Sequence, residues 1–218
     1  MKKEFSYVAA FDLDKTIVSV NSSRLIVKAS RRLGLMSKGD FLRAILYSII
    51  YKFDLKDANK IVEDMTKWLK GLKESDIIKL LDEHVIQDVL KLVRPEIRKV
   101  LENHRKNGAR LVMLSSAMPY ICNPIADHLN MDDVVSSRLE VSDGEFTGRP
   151  IDRLNFGKQK AVTMKKFCED NDYSLEESYY YGDAYTDRYV LEIVGHAVCV
   201  HPEIKLRSMA KRKNWEII

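Results

Sequence analysis

Cysteine is scarce in this chain of 218 residues, and its three cysteines form no metal-binding or disulfide pattern. Cys122, Cys168 and Cys199 are an odd number and include no Cys-x-x-Cys pair. This argues against a disulfide framework and against a zinc site built on cysteine. The five histidines also lack the His-Glu-x-x-His spacing of zinc hydrolases, so nothing in the sequence indicates a zinc enzyme.

Long apolar runs are missing as well. The first apolar run, residues 7–11, ends at Asp12 and is too short for the hydrophobic part of a signal peptide. The longest one, residues 44–51, falls far below the roughly 18 apolar residues that span a bilayer. The net charge of +4 gives no argument for binding nucleic acid. We therefore expect a cytoplasmic protein without a nucleic-acid partner.

The composition is that of an ordinary globular protein, with 45% hydrophobic and 31% charged residues. The length allows one large domain or a domain that carries an insert. Residues 5–12 predict a short buried strand. Residues 22–93 contain no strand-like run, and their helices with short loops suggest a small antiparallel bundle. The predicted helices of this segment cover residues 22–33, 39–52, 55–70 and 74–92.

Helices and strands alternate after residue 94. Helices are predicted over 95–107, 119–129, 158–171, 186–194 and 203–214, strands over 111–114, 178–181 and 197–200, and a hairpin over 134–141 and 145–147 around Ser142-Asp143-Gly144. The alternation predicts an α/β fold with a doubly wound, mainly parallel, Rossmann-like sheet. The expected division is a core domain of residues 1–20 and 94–218, with residues 21–93 as an inserted helical domain.

Two aspartates follow the first predicted strand, in the sequence Asp12-Leu13-Asp14. Their spacing points both carboxylates the same way in an extended chain. Such close like charges are unfavourable unless a cation neutralises them, and carboxylate oxygens suit Mg²⁺. An acidic turn or a helix cap is the alternative on these residues alone.

A second acidic pair, Asp183 and Asp187, follows the strand that ends near Gly182. Gly182 permits a close backbone approach, and the two carboxylates are spaced to share one face of the next turn. The pair could complete a magnesium site, although Asp187 could equally cap the following helix.

The strand over 111–114 is followed by Ser115 and Ser116, directly before a helix. A hydroxyl and free backbone N–H groups at such a position form a plausible phosphate cradle, and a serine-rich turn is the plain alternative. Lys158 and Lys160 begin the helix after the hairpin, and on their own they indicate only a charged surface.

These four motifs, in this order, resemble the haloacid dehalogenase (HAD) superfamily of phosphatases. The helical insert directly after the first motif resembles the phosphoserine-phosphatase-like branch, subfamily IB, which carries a helical-bundle cap there. The resemblance extends over essentially the whole chain. It implies a HAD-type phosphoric monoester hydrolase, a Mg²⁺-dependent phosphomonoesterase that hydrolyses a small phosphorylated metabolite through an aspartyl-phosphate intermediate.

The resemblance also implies roles for individual residues. Asp12 matches the nucleophile, and Asp14 matches the acid that protonates the leaving alcohol and then activates water. Ser115 and the backbone of Ser116 match the phosphate cradle, and Lys160 fits the motif-three lysine better than Lys158 does. The implied metal-site residues are Asp12, Asp14 through its carbonyl, Asp183, and Asp187 as a supporting carboxylate.

The sequence departs from phosphoserine phosphatases at one informative position. Those enzymes hold the substrate ammonium with a glutamate nine residues after the nucleophile, and here that position is Asn21. Phosphoserine is therefore disfavoured as the substrate. Every carboxylate of the motifs is retained, so the departure concerns the substrate rather than the chemistry.

The inserted segment is basic and partly very apolar. Residues 22–52 contain seven basic residues and one acidic residue, a net +6 that would attract anionic substrates or is simply a solvated helix face. The predicted helix over 39–52 is apolar nearly all round, which predicts burial in the insert's own core. The alternative is a patch that faces a lipid phosphate such as phosphatidylglycerophosphate, with membrane association through the cap.

Two other functions compete with the phosphatase. A signalling receiver module also uses an aspartyl-phosphate, a hydroxyl and a lysine on a parallel sheet, but it has neither the long insert nor the second acidic pair. A phosphate-binding protein without catalysis is the other alternative, and the retention of both Asp12 and Asp14 argues against it.

Overall fold

The computed structural model describes residues 5–52, 64 and 66–218. The strands are β1 (Tyr7–Phe11), β2 (Ala109–Leu114), β3 (Asp133–Val135), β4 (Leu139–Ser142), β5 (Glu145–Pro150), β6 (Tyr179–Gly182), β7 (His196–Cys199) and β8 (Glu216–Ile217). Six of them form one sheet in the order β3-β2-β1-β6-β7-β8, and every neighbouring pair is parallel. The predicted α/β fold with a mainly parallel, doubly wound sheet is thus confirmed.

Strand β1 lies in the middle of the sheet because it is apolar on both faces. Val8 and Ala10 pack into one hydrophobic cluster, while Ala9 and Phe11 pack into the other. All four side chains are fully buried. Such a strand needs helices on both sides, which is the usual reason for a near-continuous apolar run in a parallel sheet.

The helices match most of the sequence prediction. They are α1 (Ser22–Arg32), α2 (Lys38–Lys52), α3 (Glu74–His84), α4 (Ile86–Leu90), α5 (Pro95–Lys106), α6 (Pro119–His128), α7 (Lys158–Asp170), α8 (Arg188–Leu191) and α9 (Ile204–Lys213). Short 3₁₀ turns lie at Lys67–Leu69 and Tyr185–Asp187. The predicted helix over 55–70 falls mostly outside the described residues, and its described end is the first of these turns.

Two predicted elements are wrong in detail. The predicted helix over 74–92 is broken at Val85, which is buried, and continues as the separate helix α4. The predicted strand over 134–141 is two strands, since β3 joins the main sheet and β4 forms the hairpin with β5. The hairpin itself is confirmed, with Asp143 and Gly144 both at positive φ in its turn.

The chain leaves the core and returns to it at adjacent positions. Ser19 donates its backbone N–H to Leu92, and Arg94 donates its own to Ile17. The segment between these crossings also forms a seam with the β4–β5 hairpin, made of three backbone hydrogen bonds. Gly71 donates to Phe146, Phe146 donates to Leu72, and Glu74 donates to Gly144. The division into residues 21–93 and the remainder stays a prediction.

Several described side chains of helix α2 are exposed, although the composition of the helix predicts burial. Leu42 is 64% exposed, Ile45 43% and Leu46 53%. The expectation of burial in the insert's core is therefore wrong for these three side chains. Among the described residues, no helix is both long enough and apolar enough to pass through a membrane.

Candidate active site

The residues of three of the four motifs follow strand ends at one edge of the main sheet. Phe11 of β1 pairs with Met113 of β2 and with Tyr181 of β6. Asp12, Ser115 and Asp183 follow these strands within two residues, so they lie along the same carboxyl edge. Ligands of open α/β sheets bind at this edge, next to the reversal of strand order. The sheet order reverses here, because β1 lies between β2 and β6.

Asp12, Asp183 and Asp187 form a buried cluster of carboxylates. One oxygen of each lies within 4.8 Å of the others. Gly182 allows this closeness, because a Cβ atom added there would lie 2.8 Å from Oδ2 of Asp187 and 2.9 Å from its Cβ. Asp187 also accepts the backbone N–H of Ala184 at 3.1 Å, so it caps the turn as well as joining the cluster.

Lys160, at the start of α7, inserts its ammonium among these carboxylates. Its Nζ donates to Oδ1 of Asp12 at 2.8 Å and to Oδ1 of Asp187 at 2.9 Å. Lys160 is 4% exposed. Lys158 is exposed instead, with its Nζ 5.7 Å from the ring centroid of Tyr189. Of the two lysines, Lys160 is the one that contacts Asp12.

Tyr180 is part of the same hydrogen-bonded group, although sequence reasoning missed it. Its hydroxyl accepts a hydrogen bond from Nζ of Lys160 at 3.0 Å and donates one to Oδ1 of Asp187 at 2.9 Å. Tyr180 is fully buried. The sequence signal is weak, since consecutive tyrosines in a strand ordinarily indicate only β propensity and packing.

Asp14 lies beside the cluster in a tight turn. Its Oδ1 accepts the backbone N–H of Ser22, at the start of α1, at 2.8 Å. Burial raises the pKa of the Asp14 carboxyl, while the backbone hydrogen bond from Ser22 acts in the opposite direction. Lys15 adopts a positive φ of 58° in this turn, and its Nζ lies 4.0 Å from Oδ2 of Asp183.

Asn155 is a second residue that sequence reasoning missed, and it forms a hydrogen bond to the backbone of the Ser115 loop. The Asn155 amide donates to the carbonyls of Ser115 at 3.1 Å and Val135 at 3.0 Å. Ser115 is buried and its Oγ accepts the N–H of Ala117 at 3.2 Å, whereas Ser116 is half-buried. Asn155 therefore fixes the loop in which the candidate phosphate cradle lies.

The cluster contains more buried carboxylates than buried cations, and the pKa values of its groups reflect this excess of negative charge. Burial raises the pKa of Asp12 to about 7, although attraction to Lys160 opposes the rise. Burial, together with repulsion from Asp187 and Asp12, raises the pKa of Asp183 well above its usual range. Burial by itself lowers the pKa of Lys160, but attraction to Asp12 and Asp187 outweighs it, so this ammonium stays charged.

The donor set fits a hard divalent cation. Three buried carboxylates face one buried ammonium, which leaves excess negative charge in a medium where it is costly. Thr16 is buried too, and its hydroxyl donates to Oδ1 of Asp183 at 3.4 Å. Oxygen donors of this kind are the ligands that Mg²⁺ takes. Asp12, Asp183 and Asp187 are the residues that could hold it.

The family of the chain follows from a match to a known family model. Residues 9–192 match the model of haloacid dehalogenase-like hydrolases. The chain belongs to this family. The matched range contains all the site residues predicted from the sequence.

Two curated relatives illustrate the range of similar proteins. The chain is 28% identical over 213 residues to a probable phosphatase of Mycobacterium tuberculosis (strain ATCC 25618 / H37Rv), covering 96% of this chain and 74% of the relative. It is 21% identical over 216 residues to a histidinol-phosphatase of Neisseria meningitidis serogroup C (strain 8013), covering 97% of both.

Two solved structures share the fold. A Bordetella pertussis Tohama I protein of unknown function superposes with a TM-score of 0.87 at 22% identity, covering 98% of each chain. A substrate-bound phosphoserine phosphatase superposes with a TM-score of 0.73 at 16% identity, covering 98% of this chain and 92% of the other. Curated relatives that include phosphoserine phosphatases confirm the phosphoserine-phosphatase-like resemblance. The chain is an enzyme of the phosphoric monoester hydrolase class.

Proposed function

We propose that the protein is a Mg²⁺-dependent phosphomonoesterase that transfers the phosphoryl group of a small metabolite to Asp12 and then to water. The observation that carries this proposal is the contact between Lys160 and Asp12, at 2.8 Å, inside a cluster of buried carboxylates. Phosphoryl transfer is promoted mainly by positioning and by neutralising charge, and this group of residues provides both. The receiver alternative is set aside by membership in a hydrolase family.

The first step forms one bond and breaks one. A carboxylate oxygen of Asp12 attacks phosphorus, and the bond between phosphorus and the ester oxygen breaks. Asp14, whose pKa burial raises, gives its proton to the departing alkoxide. In the second step Asp14 takes a proton from water, the water oxygen bonds to phosphorus, and Asp12 leaves as a carboxylate.

The other site residues hold the phosphoryl group. Ser115 and the backbone N–H of Ser116 would bind its oxygens, and the ammonium of Lys160 would neutralise them. Asp12, the Asp14 carbonyl and Asp183 would hold Mg²⁺, with Asp187 as a supporting carboxylate. The ion, when bound, supplies positive charge to the phosphoryl oxygens and to Asp12.

The substrate is proposed to be a phosphorylated metabolite other than phosphoserine. Asn21 replaces the acidic residue that would bind the ammonium of phosphoserine, and its side-chain oxygen accepts the backbone N–H of Arg24 at 3.2 Å as the cap of α1. The similarity to a histidinol-phosphatase over the full length of both chains makes histidinol phosphate the first compound to test.

The test is turnover of p-nitrophenyl phosphate by the purified protein, with added Mg²⁺ and with a chelator. We expect many turnovers per protein molecule with Mg²⁺ and almost none with the chelator. A single release of nitrophenol per molecule would indicate a protein that accepts the phosphoryl group and keeps it, and no release would indicate a protein that only binds phosphate. Either result would overturn the proposal. A screen that includes histidinol phosphate and phosphoserine then identifies the substrate.

A lipid phosphate is a second candidate, favoured by one observation. Leu42, Ile45 and Leu46 are exposed on α2, within a segment of net charge +6. Exposed apolar residues beside basic ones suit an anionic lipid surface. The comparison is the rate with phosphatidylglycerophosphate in vesicles against that with soluble esters. Turnover of soluble esters alone would exclude the lipid. A rate with the vesicles that Leu42→Gln and Leu46→Gln leave unchanged would exclude a role for this surface.

A further inference from the structure

We infer that Tyr180 is a positioning residue, whose hydroxyl holds Lys160 and Asp187 in the geometry that the reaction needs. This inference rests on the proposed function. It adds a residue that belongs to none of the four sequence motifs. The argument uses the hydrogen bonds of a single buried ammonium and one buried carboxylate.

The ammonium of Lys160 has three N–H donors, and the protein supplies three acceptors. These are Oδ1 of Asp12 at 2.8 Å, Oδ1 of Asp187 at 2.9 Å and the hydroxyl of Tyr180 at 3.0 Å. The Nζ atom is therefore fixed in three directions. A flexible four-carbon side chain held at all three donors loses the freedom that would otherwise misplace its charge.

The hydroxyl of Tyr180 makes one of these three bonds exchangeable. A phosphoryl oxygen that binds Lys160 must replace one acceptor, and the neutral phenol gives up the ammonium more easily than either carboxylate does. Tyr180 still donates to Oδ1 of Asp187 at 2.9 Å, so Asp187 keeps a partner. Without the hydroxyl, Oδ1 of Asp187 would rely on the Lys160 ammonium for its hydrogen bond. It would then hold the ammonium away from the phosphoryl oxygen.

The chain provides a matched control in the next residue. Tyr181 lies on the same strand with its side chain on the opposite face, and its hydroxyl forms a 2.7 Å hydrogen bond with Nε2 of His104. Tyr181 is 5% exposed. Changing either tyrosine to Phe removes one buried hydroxyl and one or two buried hydrogen bonds. Only Tyr180 contacts Lys160 and Asp187.

The experiment compares Tyr180→Phe and Tyr181→Phe by kinetics, stability and NMR. With p-nitrophenyl phosphate and saturating Mg²⁺, we expect kcat of Tyr180→Phe to fall roughly 10- to 100-fold with KM little changed. Tyr181→Phe should keep kcat within about two-fold of the wild type, while both variants lose comparable stability to urea. A purely structural role for Tyr180 would lower stability alone, and this result would overturn the inference.

A second readout does not depend on turnover. In protein labelled with ¹⁵N-lysine, the ammonium signal of Lys160, assigned by its loss in Lys160→Met, should shift or broaden in Tyr180→Phe. The signal should stay in place in Tyr181→Phe. An unchanged signal in Tyr180→Phe overturns the positioning role, whatever the turnover. A wild type that turns over no ester, with the signal shifted in Tyr180→Phe, overturns the proposed function and leaves the contact established.

Discussion

Lys160 and Asp12 are 148 residues apart in the sequence, and their side chains form a buried ion pair of 2.8 Å. The parallel sheet brings them together, because Asp12 directly follows β1 and α7 begins beside that strand end. An ammonium at this depth remains charged only beside carboxylates, and a carboxylate this buried remains reactive only beside a cation. Each residue therefore stabilises the charged form of the other.

The first prediction concerns the nucleophile. Asp12→Asn keeps the shape of the side chain but removes the attacking carboxylate, so activity toward p-nitrophenyl phosphate should fall at least about a thousand-fold. Circular dichroism should show the native fold, since the amide still accepts from Lys160. Substantial residual turnover in a preparation free of wild-type protein would contradict the assignment of Asp12.

The second prediction uses the two neighbouring lysines of α7. Lys160→Met leaves Asp12 and Asp187 buried without their cation, so the free energy of unfolding should fall by about 3 kcal/mol and activity should be lost. Lys158→Met is the control, because the Lys158 side chain is exposed, and its stability should stay within about 0.5 kcal/mol. Urea denaturation and p-nitrophenyl phosphate kinetics measure both. Equal loss of activity in the two variants would refute the choice of Lys160.

The third prediction tests the close approach at Gly182. Its Ala variant would place a Cβ 2.8 Å from Oδ2 of Asp187, so Asp187 must move and the reaction should slow roughly 100-fold. Gly39→Ala is the control, since its Cβ would meet Ser37 Oγ at an ordinary 3.7 Å. Kinetics of the two variants measure the difference. A fully active Gly182→Ala would mean that the position of Asp187 is unimportant.

The fourth prediction is a dependence of stability on pH, caused by His104. Burial lowers the pKa of His104 from 6.5 to about 4, and His196 acts in the same direction. The unfolded chain therefore takes up a proton between about pH 6.5 and pH 4 that the folded chain refuses. Lowering the pH through this window should remove roughly 2 kcal/mol of the contribution of His104 to folding, after allowance for partial solvent screening. The raised pKa values of Asp12 and Asp183 act in the opposite direction, so the effect is measured as the difference between the wild type and a His104 variant.

Urea denaturation of the wild type and the variant at pH 7 and pH 4 measures this difference. His104 lies between the hydroxyls of Tyr7 at 2.9 Å and Tyr181 at 2.7 Å, so a variant must retain hydrogen bonding there. His104→Gln supplies such groups without titrating in this range. It should be less stable than the wild type at pH 7, and the gap between the two should narrow toward pH 4. A gap that does not change with pH would assign the effect to other residues.

The sequence was most informative where one physical cause dominated. Continuous apolar runs identified β1, β2, β6 and β7, because a strand buried on both faces has few polar positions. The motif residues Asp12, Asp183, Asp187 and Lys160 were predicted to meet, and they lie in one cluster. Their chemistry needs several charged groups close together, so charged residues recur at defined positions beside the strand ends and can be recognised in the sequence.

The sequence was least informative where packing between distant segments decides the outcome. The helix breaks at Val85, which is buried, and the chain continues as α4 with Ile86 and Val89 also buried. No glycine or proline marks this break in the sequence. Tyr179, Tyr180 and Tyr181 look alike in the sequence. Which of them reaches Lys160 depends on the face that each strand residue presents to α7. The exposure of Leu42 likewise depends on neighbours of α2 that periodicity does not reveal.

The seam between the β4–β5 hairpin and residues 71–74 has a consequence for chimaeras with related enzymes. Three main-chain hydrogen bonds join the hairpin to this segment, and the hydroxyl of Tyr120 donates to Glu74 nearby. A graft that exchanges only residues 21–93, the predicted insert, would have to form these bonds again between a foreign segment and the native hairpin. A graft that includes residues 139–150 keeps both partners of these bonds together.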